Sequence, residues 1–330
     1  MKKNLTLIFK IIISTGIIIF LINSNKLNFS KLSVIWVHKE IYIVILLIFI
    51  FLLIPLITLR WKLILKEFNT EIRFFDAFRI VVIGNYFSMM LPGSVSGDFV
   101  RGYYLYKKSI LKSKIKIFLS LFADRISGIT GLLLLTVFIS LFNIERIGDN
   151  EKLIFFIILA FILLGFILAV IYASTGIKRM YENSHIYRGK HYRKIKVKVY
   201  NILDGFAMLG RNRRMILISF SLSLVSFVLI ILAYLMIIYS LDIPIADYFS
   251  ITVIITFGIV STIIPVAPSG IGVGHAAFYY LFKIIDIDDG ADIYNIFLMI
   301  QIVMNLLGGM MYFTYTEKID TTDVPEYQKI

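Results

Sequence analysis

The segment 90–107 reads MLPGSVSGDFVRGYYLYK and places charged side chains in an otherwise apolar chain. Its proline and first glycine break the incoming apolar run, and a serine that follows can cap the helix that restarts. Free backbone N–H groups at the start of such a helix lie at the positive end of its dipole and form an anion site. Arg101, one turn beyond Asp98, can pair bidentately with a phosphate, although a surface loop with an i,i+3 salt bridge is the alternative. The candidate anion-binding residues are Pro92, Gly93, Ser94, Ser96, Gly97, Asp98 and Arg101.

A second charged pair, Asp124 and Arg125, lies inside the apolar run 117–141. Charges at that depth are costly unless they face a cavity or a partner, so both residues are candidates for the same anion site. The alternative is that they snorkel towards the membrane surface, where three lysines precede them at 112, 114 and 116.

A second break, PVAPSGIGVGH, occupies residues 265–275. Its alternating glycines resemble a phosphate cradle, but small residues are also what helix packing in a membrane favours. A dinucleotide-binding interpretation fails because no strand precedes the glycines. A histidine in this setting is more often packed and hydrogen-bonded than functional. The substrate-binding candidates here are Pro268, Ser269, Gly270, Gly272, Gly274 and His275.

The composition places these motifs in a membrane. Of 330 residues 59% are hydrophobic and only 17% are charged, which is too apolar for a soluble domain of this size. Several runs approach the roughly 20 residues that cross a bilayer. The predicted full spans are 5–23, 41–59, 117–141, 152–173, 215–240 and 293–315.

The charge and cysteine content exclude several other classes. The net charge of +13 comes from residues in loops between spans, which indicates lipid headgroups and orientation signals, not nucleic acid. The absence of cysteine excludes disulfides, thiol nucleophiles and thiolate metal sites.

Two further apolar stretches, 77–91 and 248–264, each run into a Pro/Gly cluster and then into a piece too short to cross. We predict that both are re-entrant hairpins. The first has basic flanks and the second acidic flanks, so the hairpins should enter from opposite sides. The basic segment 176–214 and both termini are predicted to be cytoplasmic. This arrangement places the loop with Lys26, Lys31 and Lys39 outside, against the positive-inside rule.

The order helix, helix, hairpin, helix then occurs twice. Pairing Pro92 with Pro268 aligns Tyr103, Tyr104, Leu105 and Lys107 with Tyr279, Tyr280, Leu281 and Lys283. We therefore predict an all-α polytopic membrane protein with about six full spans and two re-entrant hairpins, forming one domain over 1–330. Its halves, 1–142 and 143–330, would be inverted repeats. Broken segments at matching places in two halves indicate a transporter's substrate site.

Signatures of enzymes are weak. Asp286 and Asp288 have the DxD spacing of some metal-dependent glycosyltransferases, but DIDDG is typical of a solvated turn. The four histidines are scattered without zinc spacing, and no Ser/His/Asp set can be nominated. We predict no catalytic residue, no metal and no cofactor.

At these residues the chain resembles the flippase-like family, the membrane region of lysylphosphatidylglycerol synthases (multiple peptide resistance factors), which also occurs as stand-alone proteins. The resemblance spans nearly the whole chain and rests on Leu91-Pro-Gly…Gly97-Asp98…Arg101, Asp124-Arg125 and Pro268…Gly270-Ile-Gly-Val. It implies movement of a phospholipid from the inner to the outer leaflet, with synthase activity in a separate soluble domain. Because the chain ends soon after its last span, we expect no aminoacyl transfer. The family pattern has glutamate where Asp124 and His275 stand.

The sequence thus predicts a lipid translocator of the cell membrane. An anionic phospholipid or polyprenyl phosphate would be held by both hairpins together with Arg101 and Arg125, which Asp98 and Asp124 would orient. Rocking of one repeat against the other would change access. The alternatives that stay open are an accessory or catalytic subunit of glycolipid or cell-envelope polymer assembly, and a structural scaffold. Homo-oligomerisation also stays open.

Overall fold

The computed structural model describes residues 29–90, 96–108, 110–111, 113–142, 151–183, 212–245, 247–262 and 270–314. Within these ranges the regular structure is helical and no strand occurs, which confirms the predicted all-α polytopic membrane fold. Two short helical pieces, Phe29–Ser33 and Val34–Val37, come first. The longer helices are α1 (Lys39–Glu67, with a π-helical turn at Phe49–Leu53), α2 (Phe74–Met90), α3 (Ser96–Lys107), α4 (Lys114–Leu141), α5 (Glu151–Asn183), α6 (Arg213–Ser240), α7 (Tyr248–Thr262), α8 (Val273–Phe282) and α9 (Gly290–Thr314).

Five helices in the described part of the chain are long and apolar enough to cross a membrane: α1, α4, α5, α6 and α9. They correspond to five of the predicted spans, and the sixth, 5–23, lies outside the described residues. Helix α1 continues beyond the predicted end at residue 59 as far as Glu67. The helix can continue because Arg60, which looks like a flanking charge in the sequence, is buried and paired inside the protein.

Each broken stretch forms a pair of short helices. Helices α2 and α3 flank residues 91–95, and α7 and α8 flank residues 263–269, both of which lie outside the described residues. With 12 and 10 residues, α3 and α8 are too short to cross a bilayer core. Helices α2 and α3 touch through glycine: a Cβ on Gly97 would lie 2.3 Å from the carbonyl oxygen of Gly84.

One end of the bundle carries the end of α1 and the starts of α4 and α6. Asn212 Nδ2 donates to Glu67 Oε1 across 2.8 Å. Apolar residues from the same three helix ends form a cluster of Ile64, Phe68, Leu119, Ala123 and Met215. We name this end the basic face, after the basic residues that flank the first hairpin. Because α2 starts shortly after Phe68 and α3 ends shortly before α4, the first hairpin begins and ends there.

The opposite end carries the start of α1, the end of α6 and the start of α9. The Tyr42 hydroxyl lies 2.6 Å from Ser240 Oγ, and Lys31 forms ion pairs with Asp289 and Asp292. We name this end the acidic face. The second hairpin starts just after α6 and ends just before α9, so it begins and ends on this face. The two hairpins therefore enter from opposite ends, as their flanking charges predict.

Lys31, from the loop whose predicted outside location departs from the positive-inside rule, is paired with two carboxylates at the acidic face. Its Nζ lies 2.5 Å from Asp289 Oδ1 and 3.2 Å from Asp292 Oδ2. Partial burial opposes its charged form, but the hydrogen bonds and negative charges of the two aspartates outweigh that effect and raise the Lys31 pKa above its ordinary 10.5. Two carboxylates on the same face thus neutralise the lysine.

Aromatic packing holds the second hairpin in the core. The Tyr234 ring of α6 stacks on Phe297 of α9 at 4.2 Å and on Phe278 of α8 at 5.2 Å between centroids. A Cβ on Gly258 of α7 would lie 2.4 Å from the Phe278 ring, so α7 and α8 are also in close contact. The division of the chain into repeats at residues 142 and 143 stays a prediction.

Candidate functional site: an ion network beside the first hairpin

The helix that restarts after the first break carries two buried charges one turn apart. Helix α3 begins at Ser96, whose hydroxyl donates to the carbonyl oxygen of Phe87 across 3.4 Å. Arg101 Nη1 lies 3.3 Å from Asp98 Oδ1. The i,i+3 salt bridge of the alternative interpretation is therefore present, but both of its residues are buried and neither lies in a surface loop.

Asp124 joins three helices. Its Oδ1 accepts a hydrogen bond from Arg60 Nε at 2.8 Å, and its Oδ2 accepts from Arg101 Nη1 and Nη2, each at 3.1 Å. Only 4% of its side chain is exposed. Because charge-assisted bonds from two guanidinium groups converge on one carboxylate, α1, α3 and α4 are held together at this point.

Arg125, the next residue of α4, completes the cluster. Its Nε forms an ion pair with Asp98 Oδ2, and 30% of its side chain is exposed, against 8% for Arg101. The five residues joined in this way, which we name the ion network, are Arg60, Asp98, Arg101, Asp124 and Arg125. Three arginines and two aspartates leave an excess of one positive charge.

Arg60 also belongs to the site, although it is not among the residues predicted from the sequence. Besides Asp124, its guanidinium donates from Nη1 to Ser223 Oγ of α6 across 2.9 Å. Ser223 Oγ also lies 3.3 Å from Ser127 Oγ. The available signal was the apolar pair Ile64 and Leu65, which shows that the helix extends past the arginine.

Trp61 covers Arg101 inside the protein. The Arg101 Cζ atom lies 4.1 Å from the centroid of the fully buried indole, a cation–π contact. Within the described residues, Arg101 Nε and Trp61 Nε1 are buried donors without a hydrogen-bond partner. Arg101 therefore has its position fixed by two aspartates and an aromatic face while one of its donors stays unused.

The ion network lies deep in the apolar part of the molecule. At 1.5 Å per residue, Arg60 is about 10 Å and Asp124 about 15 Å from the helix ends at the basic face. Both residues therefore lie well inside helices that are long and apolar enough to cross a membrane, away from the helix ends. A charge there costs about 2.5–3.5 kcal/mol on insertion scales, which makes mutual pairing necessary.

A groove between α3 and α4 leads to the network. It has a volume of about 440 Å³, with Asp98 and Arg125 at its inner end and Lys114 at the end of α4 that begins on the basic face. We name it the α3–α4 groove. Arg125 is thus the arginine of the network that a molecule in the groove can reach.

The three glycines predicted at the second hairpin have backbone and packing roles in the structure. Gly270 and Gly272 have φ values of +71° and +81°, in the left-handed region that favours glycine. A Cβ on Gly274 would lie 2.2 Å from the ring of Tyr294. These glycines therefore meet the needs of the turn and of close packing.

His275 is buried at the start of α8 and hydrogen-bonded on both ring nitrogens. Its Nδ1 accepts from the backbone N–H of Gly272 at 3.3 Å, and its Nε2 lies 3.4 Å from Asn295 Oδ1. Within the described residues, no bond connects it to the ion network. That both hairpins meet at one phosphate stays a prediction, and five of its residues lie outside the described ranges: Pro92, Gly93, Ser94, Pro268 and Ser269.

The acidic face has a pocket of about 710 Å³ that Asp242, Asp247, Asp286, Asp288 and Asp289 line in part. Within the described residues, no three His, Asp or Glu side chains are grouped so that they could hold a metal ion. The DxD spacing therefore gains no support as a glycosyltransferase site.

Comparison with known proteins gives one match. The family model described as Lysylphosphatidylglycerol synthase TM region matches residues 7–308, a range that contains the ion network and both hairpins. No curated protein and no solved structure matches the chain.

Proposed function

Since the chain belongs to the lysylphosphatidylglycerol synthase TM region family, we propose that it moves an anionic lipid between the two leaflets of a cell membrane. The lipid would be a phospholipid or a polyprenyl phosphate. The observation that carries this proposal is the ion network, buried between membrane-spanning helices beside a broken helix and with an excess of one positive charge. Ionisable residues at such depth are rare, and they mark substrate or ion pathways.

Within the network we propose that Arg125 is the residue that binds the headgroup phosphate. It is the most exposed of the three arginines and lines the α3–α4 groove. Its partner Asp98 also pairs with Arg101, so Asp98 keeps one arginine when a phosphate takes the other. On binding, the lipid phosphate would replace the Asp98 carboxylate at Arg125. Arg125 then stays paired throughout, and Asp98 can displace the phosphate again when the lipid is released.

Arg60, Arg101 and Asp124 would form the fixed part of this site. All three are buried, and their bonds run between α1, α3 and α4. These three residues would hold Asp98 and Arg125 in position without contacting the lipid themselves. Access from either leaflet would change by rocking of the halves 1–142 and 143–330 against one another.

Leaflet exchange of labelled lipids in liposomes with purified protein tests the proposal. We expect Arg125→Ala to abolish exchange, and Asp98→Asn with Arg101→Ala to reduce it strongly. Arg73→Ala, which removes an exposed arginine outside the network, should exchange as the wild type does. Thermal unfolding of each variant identifies those that fail to fold.

Normal exchange in folded Arg101→Ala and Arg125→Ala variants would remove the site assignment. If the folded wild type exchanges neither phospholipids nor polyprenyl phosphates, translocation by the isolated chain is wrong. Reconstitution with envelope-assembly enzymes would then test the accessory-subunit alternative.

A further inference from the structure

Two helical stripes face each other across the α3–α4 groove. On α4 the lining residues recur every three or four positions, as do those on α3, so each set lies on one side of its helix. The α4 stripe is Lys114, Ile117, Phe118, Leu121, Phe122 and Arg125, and the α3 stripe is Asp98, Phe99, Gly102, Tyr103 and Tyr106. At 1.5 Å per residue, the groove is about 16 Å long from Lys114 to Arg125.

The groove has aromatic walls and opens to the side of the bundle. Phe99, Tyr103 and Phe118 are 73%, 57% and 62% exposed, although they lie on helices within the membrane region. Gly102 allows the helices to approach closely, since a Cβ there would lie 3.0 Å from Ile117 Cγ2. An opening with apolar walls at this depth suits a lipid acyl chain.

Lysines and tyrosines surround the end of the groove at the basic face. Lys114 Nζ lies 5.6 Å from the Tyr106 ring centroid, and Lys107 Nζ lies 5.8 Å from that of Tyr103. Lys114 is in the first turn of α4, where the helix dipole disfavours a cation, so helix stability does not account for it. Tyrosine and lysine together are typical of the headgroup level of a membrane.

We infer that the α3–α4 groove is a loading site for one anionic phospholipid from the leaflet at the basic face. Its phosphate binds Lys114 and Lys107, and one acyl chain lies against the exposed rings of Phe99, Tyr103 and Phe118. The choice of an anionic lipid follows from charge, because the ammonium group of a zwitterionic lipid is repelled by the same lysines. The inference rests on the proposed function, because the loaded lipid is the cargo, and it adds the route by which that lipid arrives.

Tryptophan fluorescence in nanodiscs tests the loading site directly. The chain has two tryptophans, the exposed Trp36 and the buried Trp61. In a Trp36→Phe background, Phe118→Trp places a reporter in the groove, and Phe166→Trp places a control on the exposed surface of α5. Phosphatidylglycerol or phosphatidylcholine with brominated acyl chains is then added at equal mole fraction in an unbrominated phosphatidylcholine bilayer.

We expect brominated phosphatidylglycerol to quench the groove reporter more strongly than brominated phosphatidylcholine, and the two lipids to quench the control equally. Lys114→Gln should lower the relative affinity for phosphatidylglycerol about fivefold. Equal quenching of the groove reporter by both lipids, or a preference that survives Lys107→Gln with Lys114→Gln, would overturn the loading site.

The readout requires no lipid movement between leaflets, so the two proposals can fail separately. A lipid preference at Phe118→Trp without any leaflet exchange would leave the loading site standing and remove translocation. If leaflet exchange depends on Arg125 but the groove reporter shows no preference for phosphatidylglycerol, the loading site alone is wrong.

Discussion

Arg60 Nε and Asp124 Oδ1 are 2.8 Å apart although 64 positions separate them in the sequence. The pair connects α1 to α4, and Asp124 connects the same point to Arg101 on α3. Through Ser223, Arg60 adds α6 to the connection. The fixed part of the ion network is thus also a structural centre of the bundle, so its loss should affect folding before it affects transport.

Asp124→Asn should therefore destabilise the protein strongly. It leaves Arg60 and Arg101 buried side by side without the carboxylate that both contact. Breaking a buried pair in this way costs about 3–5 kcal/mol. Unfolding in mixed micelles with increasing sodium dodecyl sulfate measures the loss. The matched control is Asp288→Asn on the exposed acidic face, expected within about 1 kcal/mol of the wild type. Equal stability of the two variants would contradict the structural role of Asp124.

Asp98→Asn should separate binding from transport. It removes the anion that competes with a phosphate for Arg125, so an anionic lipid should bind about tenfold more tightly. Release should slow for the same reason, and the rate of leaflet exchange at saturating lipid should fall. Lipid titration in nanodiscs and exchange in liposomes measure the two effects. Weaker lipid binding by a folded variant would show that Asp98 supports the lipid instead of competing with it.

Gly97→Ala should disturb the first hairpin. The new methyl group would lie 2.0 Å from Ser88 Oγ and 2.3 Å from the Gly84 carbonyl oxygen. Overpacking of this kind costs about 1–3 kcal/mol, which the same unfolding titration measures. Gly165→Ala on α5 is the control, because in the described part of the chain no atom beyond its neighbours and its own helix backbone lies within 4 Å of the new methyl group. That variant should be neutral or more stable by up to about 1 kcal/mol.

Cysteine labelling tests which loops share a face. The chain has no cysteine, so single-cysteine variants need no further change. Ser33→Cys and Asp288→Cys should react with an impermeant maleimide from one side of the membrane, and Lys66→Cys and Glu71→Cys from the other. We expect the second pair to face the cytoplasm because basic loops stay inside. Labelling of Ser33→Cys and Glu71→Cys from the same side would contradict the described arrangement.

The ion pairs of Lys31 should stabilise the folded protein, and this stabilisation should be lost at alkaline pH. The folded-state Lys31 pKa is raised above 10.5, so the stabilisation is fully present below 10.5 and is lost as the pH rises through the raised value. The difference in unfolding midpoint between wild type and Lys31→Met should stay constant from about pH 7 to about pH 10 and shrink above pH 10.5. Glu71→Gln is the control, because Glu71 is an exposed carboxylate that is not a partner of Lys31. An unchanged difference at strongly alkaline pH would show that the ion pairs contribute nothing.

Local features account for what could be predicted from the sequence. Span length and the Pro/Gly breaks are visible in short windows, and Asp98 and Asp124 stand out because charges are rare in apolar runs. The role of Arg60 depends on a carboxylate far along the chain, so it looked like a flanking charge. The glycines at 270 and 272 show the opposite limit: the same spacing suits a phosphate cradle and a left-handed turn, and their positive φ angles fit both.

In the proposed translocation cycle, the excess positive charge of the ion network would make transport sensitive to the membrane potential. A phosphate with one negative charge brings the sum over Arg60, Asp98, Arg101, Asp124 and Arg125 to zero. A step that carries the loaded site through part of the electric field is then electrically silent. The return of the empty site moves one elementary charge, which is worth about 2.3 kcal/mol per 100 mV for a full crossing. The voltage across the membrane would therefore set the rate of the empty step and favour one direction of lipid movement.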